Sequence, residues 1–177
     1  MATFWLLFLY LIPKAIILAQ DVVDLGDLSV PTERTVAAVI FAVGFLAWLW
    51  AGLSLAVVGQ GTPLPFDAPR RMVVTGPYRW LRNPMVVGVL VQGLAEVIYS
   101  GAALLILYFG FLATCWTIFV RPGDERECQR VFGRAFEAHY RSVRLWLPMR
   151  RPWSPPPSER PPISLNDLPE NYGRRRR

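Results

Sequence analysis

Cysteine, histidine and lysine are almost missing from this chain of 177 residues, which has two cysteines, one histidine and one lysine against eighteen arginines. Each scarcity removes a class of chemistry. A structural zinc site takes four nitrogen or sulfur ligands, usually in closely spaced pairs. Cys115 and Cys128 lie in no CxxC and have only His139 to join them, so no metal is expected. A disulfide between the two cysteines is not expected either. Cys115 falls inside an apolar helix and Cys128 beyond it in a charged segment, a separation and direction that disulfide geometry does not span. Charge is sparse as well, at 18% of residues, while 53% are hydrophobic and the mean hydropathy is +0.31. That is too apolar for an ordinary soluble domain. Strand signals are lacking too. The two glycines that open GQGTPLPFDAP follow no strand and no βαβ alternation surrounds them, so they are no dinucleotide fingerprint and a soluble Rossmann-type enzyme is excluded.

What the sequence has instead is three apolar windows, Thr3 to Ala19, Val36 to Val58, and Met85 to Val120, the last divided by Ser100 and Gly101. A helix rises about 1.5 Å per residue and needs roughly 20 apolar residues to cross a hydrocarbon core. Val36 to Val58 meets that without a charge. Thr3 to Ala19 lacks the basic flank and cleavage site of a secretory signal and is read as a retained helix. Met85 to Tyr99 is short and Ala102 to Val120 nearly full length, which predicts a helical hairpin whose first arm either spans or re-enters. The expected fold is an all-α polytopic membrane helix bundle of about four transmembrane helices with a cytosolic amphipathic C-terminal helix.

Orientation follows from the arginines, because short cytoplasmic loops carry the Lys/Arg excess. Arg70, Arg71, Arg79 and Arg82 fall between Gly59 and Asn83, and most of the others follow Val120, whereas the segment Gln20 to Thr35 has only Arg34 beside four acids. Both termini and the Gly59 to Asn83 loop are therefore expected in the cytosol. The net charge of +6 reads as topology and attraction to anionic membrane lipids, with no nucleic-acid partner. Arginine in place of lysine points to a GC-rich bacterial genome, hence a bacterial cytoplasmic membrane. Lys14 and Glu96, the two charges inside the apolar windows, either pair or snorkel separately to the outer interface.

Beyond Val120, Pro122 and Gly123 are expected to break or bend the membrane helix, and Asp124 to cap a new one, with Glu127 closing a capping box. Cys128, Val131, Phe132, Ala135, Phe136, His139, Tyr140 and Val143 then share one helical face. Arg126, Arg130 and Arg134 form a like-charged row on the other, and Glu137 can pair with Arg141. Residues 1–149 make a membrane-embedded domain; residues 150–177, rich in proline and arginine, are expected to be an extended or disordered tail.

The run GPYRWLRNP sets two arginines and two aromatics directly before an apolar helix whose first turn carries Pro84. Helix starts attract anions, and an arginine fork can hold a carboxylate or phosphate through two parallel hydrogen bonds. The same residues also suit the positive-inside bias and the interfacial aromatic belt.

GPYRWLRNPMVVG, followed by DERECQRVFGRAFEAHYRSVRLWLP, resembles the isoprenylcysteine carboxyl methyltransferase family and its phospholipid methyltransferase relatives. Arg82, Pro84 and Gly88 match a GxYxxxRHPxYxG-like run; Asp124, Glu125, Phe132, Gly133, Val143 and Pro148 match the later acid pair, FGxxYxxY helix and terminal proline, over residues 75–148. The resemblance implies a membrane enzyme that uses S-adenosyl-L-methionine at the cytosolic face to methylate a lipidic or amphipathic acceptor. It implies Arg82 and Glu125 as catalytic residues, and Tyr78, Arg79, Asn83, Pro84, Glu125 and Tyr140 as cofactor-binding ones. Asn83 stands where the family has His, Val86 where it has Tyr, and Phe136 and His139 at two Tyr positions. Asn83 cannot act as a base, which leans the acceptor toward a carboxylate and O-methylation. The other readings are a membrane reductase using NADPH on a related fold, and a non-catalytic membrane interaction protein.

Overall fold

A computed structural model describes residues 6–23, 34–61 and 69–154, and every regular element among them is helical. A π-type turn, Leu7–Leu11, runs into α1 (Ile12–Val23). There follow α2 (Arg34–Val57), a 3-10 turn Gly76–Arg79, α3 (Pro84–Ser100), α4 (Ala103–Cys115), a π-helical segment Trp116–Val120, α5 (Arg121–Phe132) and α6 (Arg134–Ser142). The expectations for residues 62–68 and for most of the proline- and arginine-rich tail, 155–177, lie outside the described residues.

Among the described residues, two helical stretches are long and apolar enough to cross a membrane, Arg34–Val57 and the continuous run Ala103–Phe132. Only 17% and 11% of their apolar windows are buried in the protein, so these are not core helices of a soluble domain. On α2, Val39, Val43, Leu46, Trp50 and Leu53 recur at helical spacing and are all exposed. Such a stripe is stable where hydrocarbon takes the place of water. α3 has 17 residues and is shorter than these two.

The chain divides into two compact units. In the first, within residues 1–49 and 85–119, Val97, Ala102, Leu105 and Phe109 form a buried cluster, with Leu9, Ile16, Ile17 and Leu90 packed against it. The hairpin turns where the sequence placed it. Gly101 adopts φ +70°, its N–H donates to the Val97 carbonyl, and the Ser100 hydroxyl caps backward onto Glu96 while accepting from the Ala102 N–H. Gln20, buried in α1, accepts the N–H of Leu104 in the first turn of α4. Gly44 and Gly88 face each other so closely that a Cβ on either would come within 2.9 Å of the other helix's backbone. Lys14 and Glu96 form no ion pair with each other. Lys14 lies 5.6 Å from the Tyr10 ring centroid, which corrects the paired reading.

The second unit, within residues 50–84 and 120–177, holds the arginine-bearing turn, α5 and α6. Its helices correct two expectations. No break occurs at Pro122. The helix passes through Trp116–Val120 in π geometry and enters α5 at Arg121, with Val120 at the N-cap position and no side-chain cap. A proline lacks an N–H and clashes with the carbonyl four residues back, and a π-bulge is one recognised way for a helix to absorb such a defect. Asp124 therefore sits inside the helix, and Glu127 turns to Arg130 at 3.4 Å instead of closing a capping box. The break comes instead at Gly133, whose φ +55° and ψ −125° belong to glycine alone and split the expected single amphipathic helix into α5 and α6. Arg134 consequently lies on a different helix from Arg126 and Arg130. The Glu137–Arg141 pair forms as expected.

Candidate functional site

The second unit brings three of the singled-out residues together. Arg82 closes the loop before α3, and its backbone N–H donates to the Arg144 carbonyl at 2.9 Å. Its guanidinium carbon stands 4.2 Å from the Tyr140 ring centroid, a cation–π contact, and its Nη1 lies 3.6 Å from Glu125 Oε1. Arg121, one helical turn before Glu125, reaches the same oxygen at 3.5 Å. Two cations thus converge on one carboxylate oxygen.

Arg82 is incompletely satisfied. Its side chain is 17% exposed, yet Nε and Nη1 are buried and have no hydrogen-bond partner. The 3.6 Å contact to Glu125 is too long to count as a hydrogen bond. Leaving charged donors unpaired in a desolvated place is costly, so a guanidinium held this way suits an anionic oxygen pair. The donor set fits a molecule that carries a carboxylate beside an ammonium. Arg82 can take the carboxylate bidentately, and Glu125, already fixed by Arg121, can accept from the ammonium. Glu125 and Tyr140 also line an open groove of about 570 Å³ between α5 and α6, together with Gln129 and Phe136.

The other singled-out residues lie in the 3-10 turn and the loop that lead into α3, and at its first residue. Tyr78 lies in the 3-10 turn, and its carbonyl accepts from His139 Nε2 at 2.9 Å. Burial pushes its phenol well above the ordinary range. Arg79 donates from Nε to the Trp153 carbonyl at 3.0 Å and from Nη2 to the Ser154 hydroxyl at 2.8 Å. Asn83 is half-buried between Arg82 and Pro84, and Pro84 is the buried first residue of α3.

His139, read from the sequence as a departure from a Tyr position, is a structural hub. It is 4% exposed, donates to the Tyr78 carbonyl, and meets the Trp153 ring edge-on at 5.1 Å. Burial holds its pKa below the ordinary value; the Tyr78 hydrogen bond opposes that shift and Arg82 adds to it. It is therefore neutral near pH 7, with the proton on Nε2. Arg121 and Trp153 were not singled out from the sequence. The i, i+4 spacing to Glu125 marks Arg121 once the helix is known to start there. Trp153 carries no such signal, lying in a proline-rich stretch.

A family model described as phospholipid methyltransferase matches residues 32–135, more than half of the chain. Arg82, Arg121 and Glu125 fall inside the matched stretch, and Tyr140 and Trp153 beyond it. No curated protein and no solved structure matches the chain.

Proposed function

Since the chain belongs to the phospholipid methyltransferase family and is a membrane methyltransferase, we propose that its methyl donor is S-adenosyl-L-methionine and that Arg82 and Glu125 bind the amino-acid end of that donor. The observation that carries this reading is Arg82, whose buried Nε and Nη1 make no hydrogen bond while Nη1 stands 3.6 Å from the Glu125 carboxylate. When bound, the donor supplies an electrophilic methyl group on a sulfonium centre. The work of the chain is then to bind, orient and exclude water.

Arg82 takes the donor's carboxylate, and Glu125, held by Arg121, takes its ammonium. Tyr140 packs its ring on the Arg82 guanidinium and fixes the plane of the fork. The groove between α5 and α6 gives the rest of the donor a place beside these groups. No covalent nucleophile is required, and the only histidine is held neutral by burial and by the nearby Arg82 charge, with its Nε2–H committed to the Tyr78 carbonyl.

The acceptor in this reading is a lipidic or amphipathic molecule that reaches the cytosolic membrane face from the bilayer, and the family match favours a phospholipid headgroup. A carboxylate acceptor remains the second reading, favoured by Asn83 in place of a histidine base. Incubating purified protein with methyl-labelled donor and a membrane lipid extract tests both. Label that partitions with lipid and survives mild alkali marks N-methylation, label released as methanol marks an ester, and no transfer to any lipid fraction contradicts the proposal.

A further inference from the structure

The chain beyond α6 doubles back along the arginine turn. The Arg82 N–H donates to the Arg144 carbonyl at 2.9 Å, the Met149 N–H to the Trp80 carbonyl at 3.0 Å, and the Trp153 N–H to the Arg79 carbonyl at 2.8 Å. The two segments run in opposite directions, and each bond fixes one residue of 79–82. The far end is held by side chains as well. Arg79 donates to the Trp153 carbonyl and to the Ser154 hydroxyl, and the Trp153 ring abuts His139, which itself donates to Tyr78. Hydrogen bonding therefore continues to Ser154, past the composition change at Arg150.

These contacts surround a loop that has few of its own. Residues 80–83 belong to no helix, and their backbone is held by two bonds to the Pro77 carbonyl and two to the returning segment, of which the one to Arg144 is made by Arg82 itself. A guanidinium with buried, unpaired donors tolerates little displacement, because a shift of about 1 Å forfeits bidentate geometry.

We propose that residues 144–154 act as a strap that positions Arg82 for the donor, and that Trp153 is its positioning residue. Trp153 does not line the groove. It acts through Arg79 and His139 on the turn that carries Arg82. Arg79 then serves as the anchor of the strap, with two donors committed to Trp153 and Ser154, instead of as a ligand-binding group. The proposal rests on the assignment of Arg82 to the donor's carboxylate.

The test uses the full-length protein in detergent with two readouts, amide hydrogen exchange and affinity for S-adenosylhomocysteine. In Trp153→Ala, exchange over residues 79–83 should accelerate while α5 keeps its protection, and affinity should fall about tenfold. Trp153→Phe, which keeps a ring against His139, should restore both. Arg79→Ala should reproduce the alanine phenotype, and the double variant should lose little more than either single one, because both act through one device. Unchanged exchange over residues 79–83 in Trp153→Ala overturns the strap, as does faster exchange with wild-type affinity. If wild-type protein binds no S-adenosylhomocysteine, the donor assignment fails, and the strap loses its role in donor binding with it. The exchange data separate that failure from the first.

Discussion

At the scale of single residues, the site is an arginine placed where it cannot satisfy itself. Arg82 has Tyr140 against its face and Glu125 at 3.6 Å, but its Nε and Nη1 are buried without hydrogen bonds. A hydrogen bond to a charged group contributes about 1.5–3 kcal/mol net, so Arg82→Ala and Glu125→Gln should each weaken donor affinity by roughly ten- to a hundredfold. Arg82→Lys should recover little, because an ammonium keeps the charge and loses the fork. Titration calorimetry on the three variants checks this, with circular dichroism to verify folding. His139 gives a pH dependence of known sign. Its folded pKa is depressed, so the unfolded chain takes up the proton first as pH falls. The stability that neutral His139 contributes is complete above its unfolded pKa of about 6.5 and is lost as pH drops below that value toward the folded pKa. Thermal unfolding in detergent should show Tm falling between pH 7.5 and 5, and His139→Gln should flatten the profile while keeping a donor for the Tyr78 carbonyl.

At the scale of elements, three glycines have three different jobs and predict three different outcomes. Gly133 breaks α5 from α6 with φ +55° in open space, so Gly133→Ala should cost about 1–3 kcal/mol from backbone strain alone. Gly88 lets α3 lie against Trp48 and Gly44, and a Cβ there would meet backbone at 2.9 Å, so Gly88→Ala should destabilise by forcing the helices apart. Gly110 sits in α4 with nothing within 4 Å, and Gly110→Ala should stabilise by about 0.5–1 kcal/mol through helix propensity. Chemical denaturation in mixed micelles ranks the three. The same elements show what a sequence can and cannot carry. The hairpin turn at Ser100 and Gly101 was legible because an apolar run long enough for two helices is interrupted once, by residues that end helices. The continuity through Pro122 was not, because proline reads as a breaker and only the π turn ahead of it, which leaves no compositional mark, absorbs the defect. Gly133 was hidden for the converse reason, since apolar periodicity carries across it and one residue in a glycine-only conformation resets the helix. Arg82 and Glu125 were legible through a family motif and not through periodicity. Arg121 was lost with the misplaced helix start, and Trp153 with the composition of the tail around it.

At the scale of the whole molecule, apolar helices that bury little of their surface in the protein make this a membrane protein, and the family match makes it a methyltransferase. The arginine distribution adds a prediction about direction. Reporter fusions at the C-terminus and within residues 62–68 should report the cytosolic side, and an insertion at the Ser100–Gly101 turn should report the opposite one. Donor binding at Arg82 and Glu125 is the central claim, and isothermal titration of S-adenosyl-L-methionine into the detergent-purified, folded protein tests it most directly. Saturable one-site binding that Arg82→Ala weakens is the expected result. Absence of heat at millimolar donor, with the fold verified in the same sample, would contradict it.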